Sequence, residues 1–171
     1  MITNFLLDNS ALVPVVLLLI AVVCVGAGYL LLRIRSSKHR HLILWTLVML
    51  SVVPVVVLTL VPTSSRVDYI ACAVQFSVPT LTSVESLANV ALFFPPVFFA
   101  ALVTRRPLLM LAAGAGLSAG IEAVQALVPA IGRACDTNDW EMNTVGAILA
   151  ALLASGTIML ANRTGRPDGG R

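Results

Sequence analysis

Five stretches of this chain are apolar for long enough to cross a bilayer, and that decides most of what it can fold into. They run Leu12–Leu32, Leu42–Val61, Leu87–Val103, Leu108–Val128 and Thr144–Ala161. A spanning helix needs about 20 predominantly apolar residues. In lipid every backbone polar group must be satisfied internally, so the expected fold is all-α: a bundle of five transmembrane helices in a single domain over residues 1–161. Pro54 falls inside the second run, and Pro95 and Pro96 interrupt the third, which is the shortest. Residues 162–171 are rich in Gly, Arg and Pro and are expected to be disordered. The first run is longer than the apolar core of a signal peptide, and no Lys or Arg precedes it, so it is read as a retained helix.

Charge sets the orientation. Alternating sides place Arg33, Arg35, Lys38, Arg40, Arg105, Arg106, Arg163, Arg166 and Arg171 on one side, and only Arg66 and Arg133 on the other. Lys and Arg concentrate in cytoplasmic loops, so the expectation is an N-terminus outside, a cytoplasmic C-terminus and a multi-pass place in the cell membrane. The acids mirror this: Asp8, Asp68, Glu85, Asp136, Asp139 and Glu141 fall outside and Asp168 inside. The formal charge of +3 therefore sits in short loops rather than on one basic face, and nucleic acid is not expected as a partner. The loop from Arg33 to His41 reads as a topology determinant touching anionic lipid.

Glu122 is the residue that needs most explanation. It lies six residues before the end of the fourth run, roughly 9 Å below the outer boundary at about 1.5 Å per residue. A carboxylate at such a depth is costly and marks a functional site by default. Gln125 shares its helix face, Glu85 and Asn89 form an i, i+4 pair at the outer end of the third run, and Arg133, Asp136, Asp139 and Asn143 lead into the fifth. Topology brings these eight residues to one level, where they predict a polar pocket open to the outside and walled by helices three to five. The alternative is an inert network that glues the bundle, with Glu122 paired to Arg133, Asn143 capping the fifth helix and Asp136 opening a short turn.

Two further patterns bear on packing. Ala112, Gly116 and Gly120 recur every four residues on the fourth helix, as do Gly146, Ala150 and Ala154 on the fifth. Small residues at this spacing let backbones approach, and contact within the monomer is the expectation, a second copy being the other option; the oligomeric state stays open. Cys72 and Cys135 both fall in outer loops, a compartment that permits disulfides, and are expected to bond and clamp the loop Pro62–Ser83 over the polar cluster. Cys24 is mid-span and inert.

The chemistry is less determined. Glu122 and Asp139 are candidate acid and base, or could hold a divalent cation. The run from Asp136 to Glu141 resembles the start of a calcium loop but has Glu141 where that loop needs Gly. No metal and no cofactor is therefore predicted. Ser118 reads as a helix-packing serine rather than a nucleophile. No histidine lies on the outer side, and no nucleophile elbow, phosphate loop or zinc-protease motif is present.

Taken together, Glu85, Asn89, Phe93, Phe94 and Pro95, then Ser118, Ile121, Glu122 and Gln125, then Arg133, Asp136, Asp139, Asn143, Thr144, Gly146 and Ala147 resemble the VanZ-like family of small bacterial membrane proteins. The resemblance covers residues 85–150, and the composition is similar to that of actinobacterial members. Its signature positions fall on Asn89, Phe94, Pro95, Glu122, Gln125, Arg133, Asp136, Asp139, Asn143 and Gly146. Val97 stands where the family usually carries Gly, which points to a different packing of the third helix. The family takes its name from a protein that accompanies glycopeptide-resistance clusters and lowers sensitivity to teicoplanin, a lipid-tailed glycopeptide. The resemblance implies a role at the outer leaflet, with membrane lipids, a cell-wall precursor or a lipoglycopeptide as partner. Binding or shielding such a molecule, modifying it enzymatically, and small-molecule transport are the three readings. The lack of inverted repeats and the one-sided polar groups weigh against transport.

Overall fold

The computed structural model describes residues 12–62, 72–76 and 83–164. Five helices among them are long and apolar enough to cross a membrane: α1 (Leu12–Leu32), α2 (Ser37–Leu60), α3 (Val84–Thr104), α4 (Pro107–Leu127) and α5 (Thr137–Thr164). Two short strands, β1 (Cys72–Ala73) and β2 (Cys135–Asp136), pair in parallel at one end. The expectations for residues 1–11, 63–71, 77–82 and 165–171 lie outside the described residues.

The helix ends follow capping chemistry rather than hydropathy, and so differ from the apolar runs. Ser36 caps α2 by accepting from the His39 N–H, and Ser83 caps α3 by accepting from the Ser86 N–H. Both helices therefore begin several residues before their first long apolar stretch. α5 shows the largest difference, starting at Thr137 instead of Thr144. Asp136 accepts from the Asn138 N–H at 2.8 Å, and Asp139 adds an acid to the first turn, where the helix dipole favours it. At its other end α5 continues through Thr164, past the start of the expected tail. There the Arg33 guanidinium donates to Thr164 Oγ1 at 2.8 Å and Arg105 donates to Asn162 Oδ1 at 3.2 Å.

α3 is the centre of the bundle and packs on all four other helices. Leu87, Val90, Phe93, Phe94, Phe98 and Leu102 are all buried, whereas α1 and α2 keep rows such as Leu18, Val22 and Leu50, Val53 exposed. Such apolar surface is stable only against lipid. α3 is continuous through Pro95 and Pro96. Those prolines lack N–H groups, which leaves the carbonyls of Ala91 and Leu92 without their usual helical donors.

Small residues let the other helices close on α3. At Gly146 an added Cβ would stand 2.4 Å from the Val90 carbonyl oxygen, so α5 and α3 touch backbone to backbone. At Gly28 of α1 it is the Leu102 and Phe98 side chains that fill the space a Cβ would need. Gly146, Ala150 and Ala154 are buried, as the spacing on α5 implied. The α4 stripe is different. Ala112, Gly116 and Gly120 are exposed, and a Cβ at either glycine would meet nothing within 4 Å. α4 instead turns Gly114, Ser118, Ile121, Glu122 and Gln125 inward. Keeping a carboxylate and an amide out of lipid outweighs the gain from small-residue packing, and that sets the rotation of the helix. The departure at position 97 is accommodated here too. The Val97 side chain occupies the space over Gly114, with Cγ2 only 2.7 Å from where a Cβ would be.

Candidate functional site

The start of α1, the end of α2, the start of α3, the end of α4 and the start of α5 meet at one end of the bundle. A cavity of about 760 Å³ opens there. Six of the eight residues expected to form a pocket line it: Asn89, Glu122, Gln125, Arg133, Asp139 and Asn143. Glu85 and Asp136 are not on its wall. Glu85 is exposed in the first turn of α3 and acts on Asp139 through its charge.

Each polar side chain is held by a different element. Asn89 of α3 donates to Asp139 Oδ1 of α5 at 2.5 Å. Glu122 Oε2 accepts from the Asp136 backbone N–H at 2.9 Å, which locks the approach to α5 onto α4. Gln125 donates to the Thr59 carbonyl at 2.9 Å and ties the ends of α4 and α2 together. Asn143 does not cap α5 but lies within it, 2% exposed, and donates through Nδ2 to Ser118 Oγ at 2.9 Å. Ser118, fully buried, thus packs α4 against α5, as expected.

Among the described residues, two side-chain polar atoms of this wall lack partners. Asn143 Oδ1 and Arg133 Nε are buried with no hydrogen bond. Buried polar atoms are nearly always satisfied, so these two mark places where a bound molecule or water would complete the set. The charges are also unequal. Asp139 feels Glu85, Asp136 and Arg133, and Glu122 feels Asp139 and Asp136, so among the described residues two carboxylates on the wall and two beyond it act against one guanidinium. The hydrogen bond that fixes Glu122 comes from a backbone amide and leaves Arg133 free to serve the cavity. Among the described residues no three His, Cys, Asp or Glu side chains are grouped as a metal ion would require.

The Cys72–Cys135 disulfide is present, with Cα atoms 4.5 Å apart, beside the β1–β2 pair. It pins residues 72–76 over the start of α5. The Gln75 side chain donates to Asp136 Oδ2 at 2.5 Å, and its backbone N–H donates to Thr137 Oγ1 at 2.9 Å. Asp136 therefore serves as a structural knot between this segment and α5.

What sequence reasoning missed is the apolar half. Val13, Val16 and Leu17 of α1, and Pro54 and Leu58 of α2, line the same cavity as the polar groups. Ala91, Leu92 and Pro95 of α3 line it too. Pro54, a helix breaker in a span, was the one signal that this part of α2 is special. Neither curated proteins nor solved structures give a match to the chain. A family model described as VanZ/LLP1 matches residues 15–160, taking in nearly all of α1 and the whole of α2 beside the motif-bearing helices, and the chain accordingly belongs to the VanZ/LLP1 family.

Proposed function

We propose that this VanZ-type multi-pass membrane protein binds an amphiphile, with the headgroup among Asn89, Glu122, Arg133, Asp139 and Asn143 and the acyl chain between α1 and α2. One observation carries the reading: a single cavity joins the polar cluster to an apolar trough. Ligand sites are mostly apolar with a few convergent polar groups, and the volume is within the usual range of about 300–1,000 Å³. We place the polar end at the extracytoplasmic face of the cell membrane. The disulfide there and the basic residues at the opposite end support that orientation. A lipid-linked envelope component or a lipid-tailed glycopeptide has the required shape, and the family's link to teicoplanin makes the latter worth testing.

Photo-crosslinking with a diazirine-bearing acyl amphiphile tests the site. Labels are expected on the trough, at Val16 or Leu58. Labels confined to outward positions such as Leu18 and Leu109 would sink the proposal. In cells, any protection against teicoplanin is expected to vanish in Glu122→Gln and Arg133→Ala, with both variants still present in the membrane.

An enzymatic reading has one observation in its favour, since Glu122 and Asp139 line the same cavity and could act as acid and base. It requires a chemically altered lipid or antibiotic in membranes that express the wild type. An unchanged mass-spectrometric profile would count against it. Transport is less well supported. A second cavity, at the basic end, shares no lining residue with the first, and Phe94, Phe98 and Leu102 are buried in the core of the bundle.

A further inference from the structure

The cavity wall is rich in hydrogen-bond acceptors and poor in donors. Asp139 and Glu122 contribute carboxylates, and Asn143 contributes a buried Oδ1 that has no partner. One Asn143 Nδ2 hydrogen is given to Ser118, and Oδ1 stays an unpartnered acceptor on a residue that lines the cavity. Ala91 and Leu92, whose carbonyls Pro95 and Pro96 deprive of helical donors, line the same space. Against this stands, among the described residues of the wall, a single cation, Arg133, with its Nε buried and unsatisfied. With Glu85 and Asp136 adding to the negative field, a neutral or purely anionic headgroup would leave these groups uncompensated in a low-dielectric place. A group carrying several N–H donors and a positive charge would satisfy them together.

Resting on the amphiphile reading, we infer that the headgroup bound here carries a primary ammonium, received by Asp139, Glu122 and Asn143 Oδ1, next to an anionic group received by Arg133. The i, i+4 spacing of Asp139 and Asn143 sets their Cβ atoms about 5–6 Å apart on one helix face, a fit for a compact three-donor cation. A quaternary ammonium has the charge but no N–H, so it cannot satisfy Asn143. A glycerol headgroup has donors but no charge to offset the carboxylates. Phosphoethanolamine has every required element.

The test uses the full chain purified in detergent. Phosphatidylethanolamine, phosphatidylcholine and phosphatidylglycerol with identical acyl chains are offered in equal amounts, and retained lipid is read by native mass spectrometry. Phosphatidylethanolamine is expected to be retained at least about tenfold over the other two, the ratio that one charge-assisted hydrogen bond supplies. Dodecylamine, which has the ammonium but no phosphate, should compete in the wild type and equally in Arg133→Ala. Asp139→Asn is expected to abolish the preference while lipid is still retained. If that variant does not fold, Glu122→Gln takes its place. Equal retention of the three lipids overturns the ammonium inference and leaves the amphiphile reading standing. Retention of none overturns that reading itself.

Discussion

Gly114 and Val97 show how a single contact can carry two residues' choices. The valine side chain fills the space that a Cβ at 114 would need, so the pair is complementary and neither position is free to change alone. Gly114→Ala is expected to lower the thermal midpoint in detergent by an amount equivalent to about 1–3 kcal/mol, the usual cost of overpacking. Adding Val97→Ala should recover most of that loss, and a double-mutant cycle measures the coupling. If the two effects simply add, the contact is not what decides the packing. Asn143 makes the complementary case for polar residues. Asn143→Leu removes the bond to Ser118 and the orphaned oxygen together, and is expected to abolish ligand retention with a smaller effect on stability than Ser118→Leu, which also lacks space. Thermal melts alongside binding separate these two effects.

At the level of elements, hydropathy located the helices, and capping residues set where they begin. The apolar runs found all five, because lipid exposure writes itself directly into composition. They misplaced the start of α5 because its first two turns carry Asn138, Asp139, Glu141 and Asn143, polar residues that a cavity and a capping Asp136 make affordable. The rotation of α4 was legible only by weighing Glu122 against the glycine stripe. The disulfide followed from sidedness, but the use of Asp136 as an anchor for Gln75 did not, since no spacing joins residues 61 apart. Cys72→Ser is expected to release residues 72–76, read as loss of hydrogen-exchange protection at the Gln75 amide, while the helices keep theirs. Unchanged exchange at Gln75 would mean that the hydrogen bonds to Asp136 and Thr137 hold the segment without the bridge.

For the whole molecule, the polar half of the site could be read from the sequence and the apolar half could not. Ionisable residues in a span are rare enough to be conspicuous, so Glu122, Arg133 and Asp139 stood out. Val16 or Leu58 on a cavity wall looks the same as Val22 or Leu50 facing lipid, because both environments reward the same side chains. Sidedness is open to direct test. With the disulfide reduced in intact cells, a membrane-impermeant maleimide is expected to label Cys72 but not a cysteine introduced at Ser37, at the basic end. The reverse pattern would invert the assigned orientation.

The backbone contact between Gly146 and Val90 has a mechanical consequence. Two helices that touch carbonyl to Cα have no cushion of side chains between them, and sliding one along the other would force atoms through each other. α3 and α5 thus form a stiff chassis on which Asn89, Asp139 and Asn143 are mounted at fixed separations. Any widening that admits a bulky tail has to come from the outer pair, α1 and α2, which touch each other little. A cysteine crosslink that staples α1 to α2 should shut the trough, whereas one between α3 and α5 should go unnoticed.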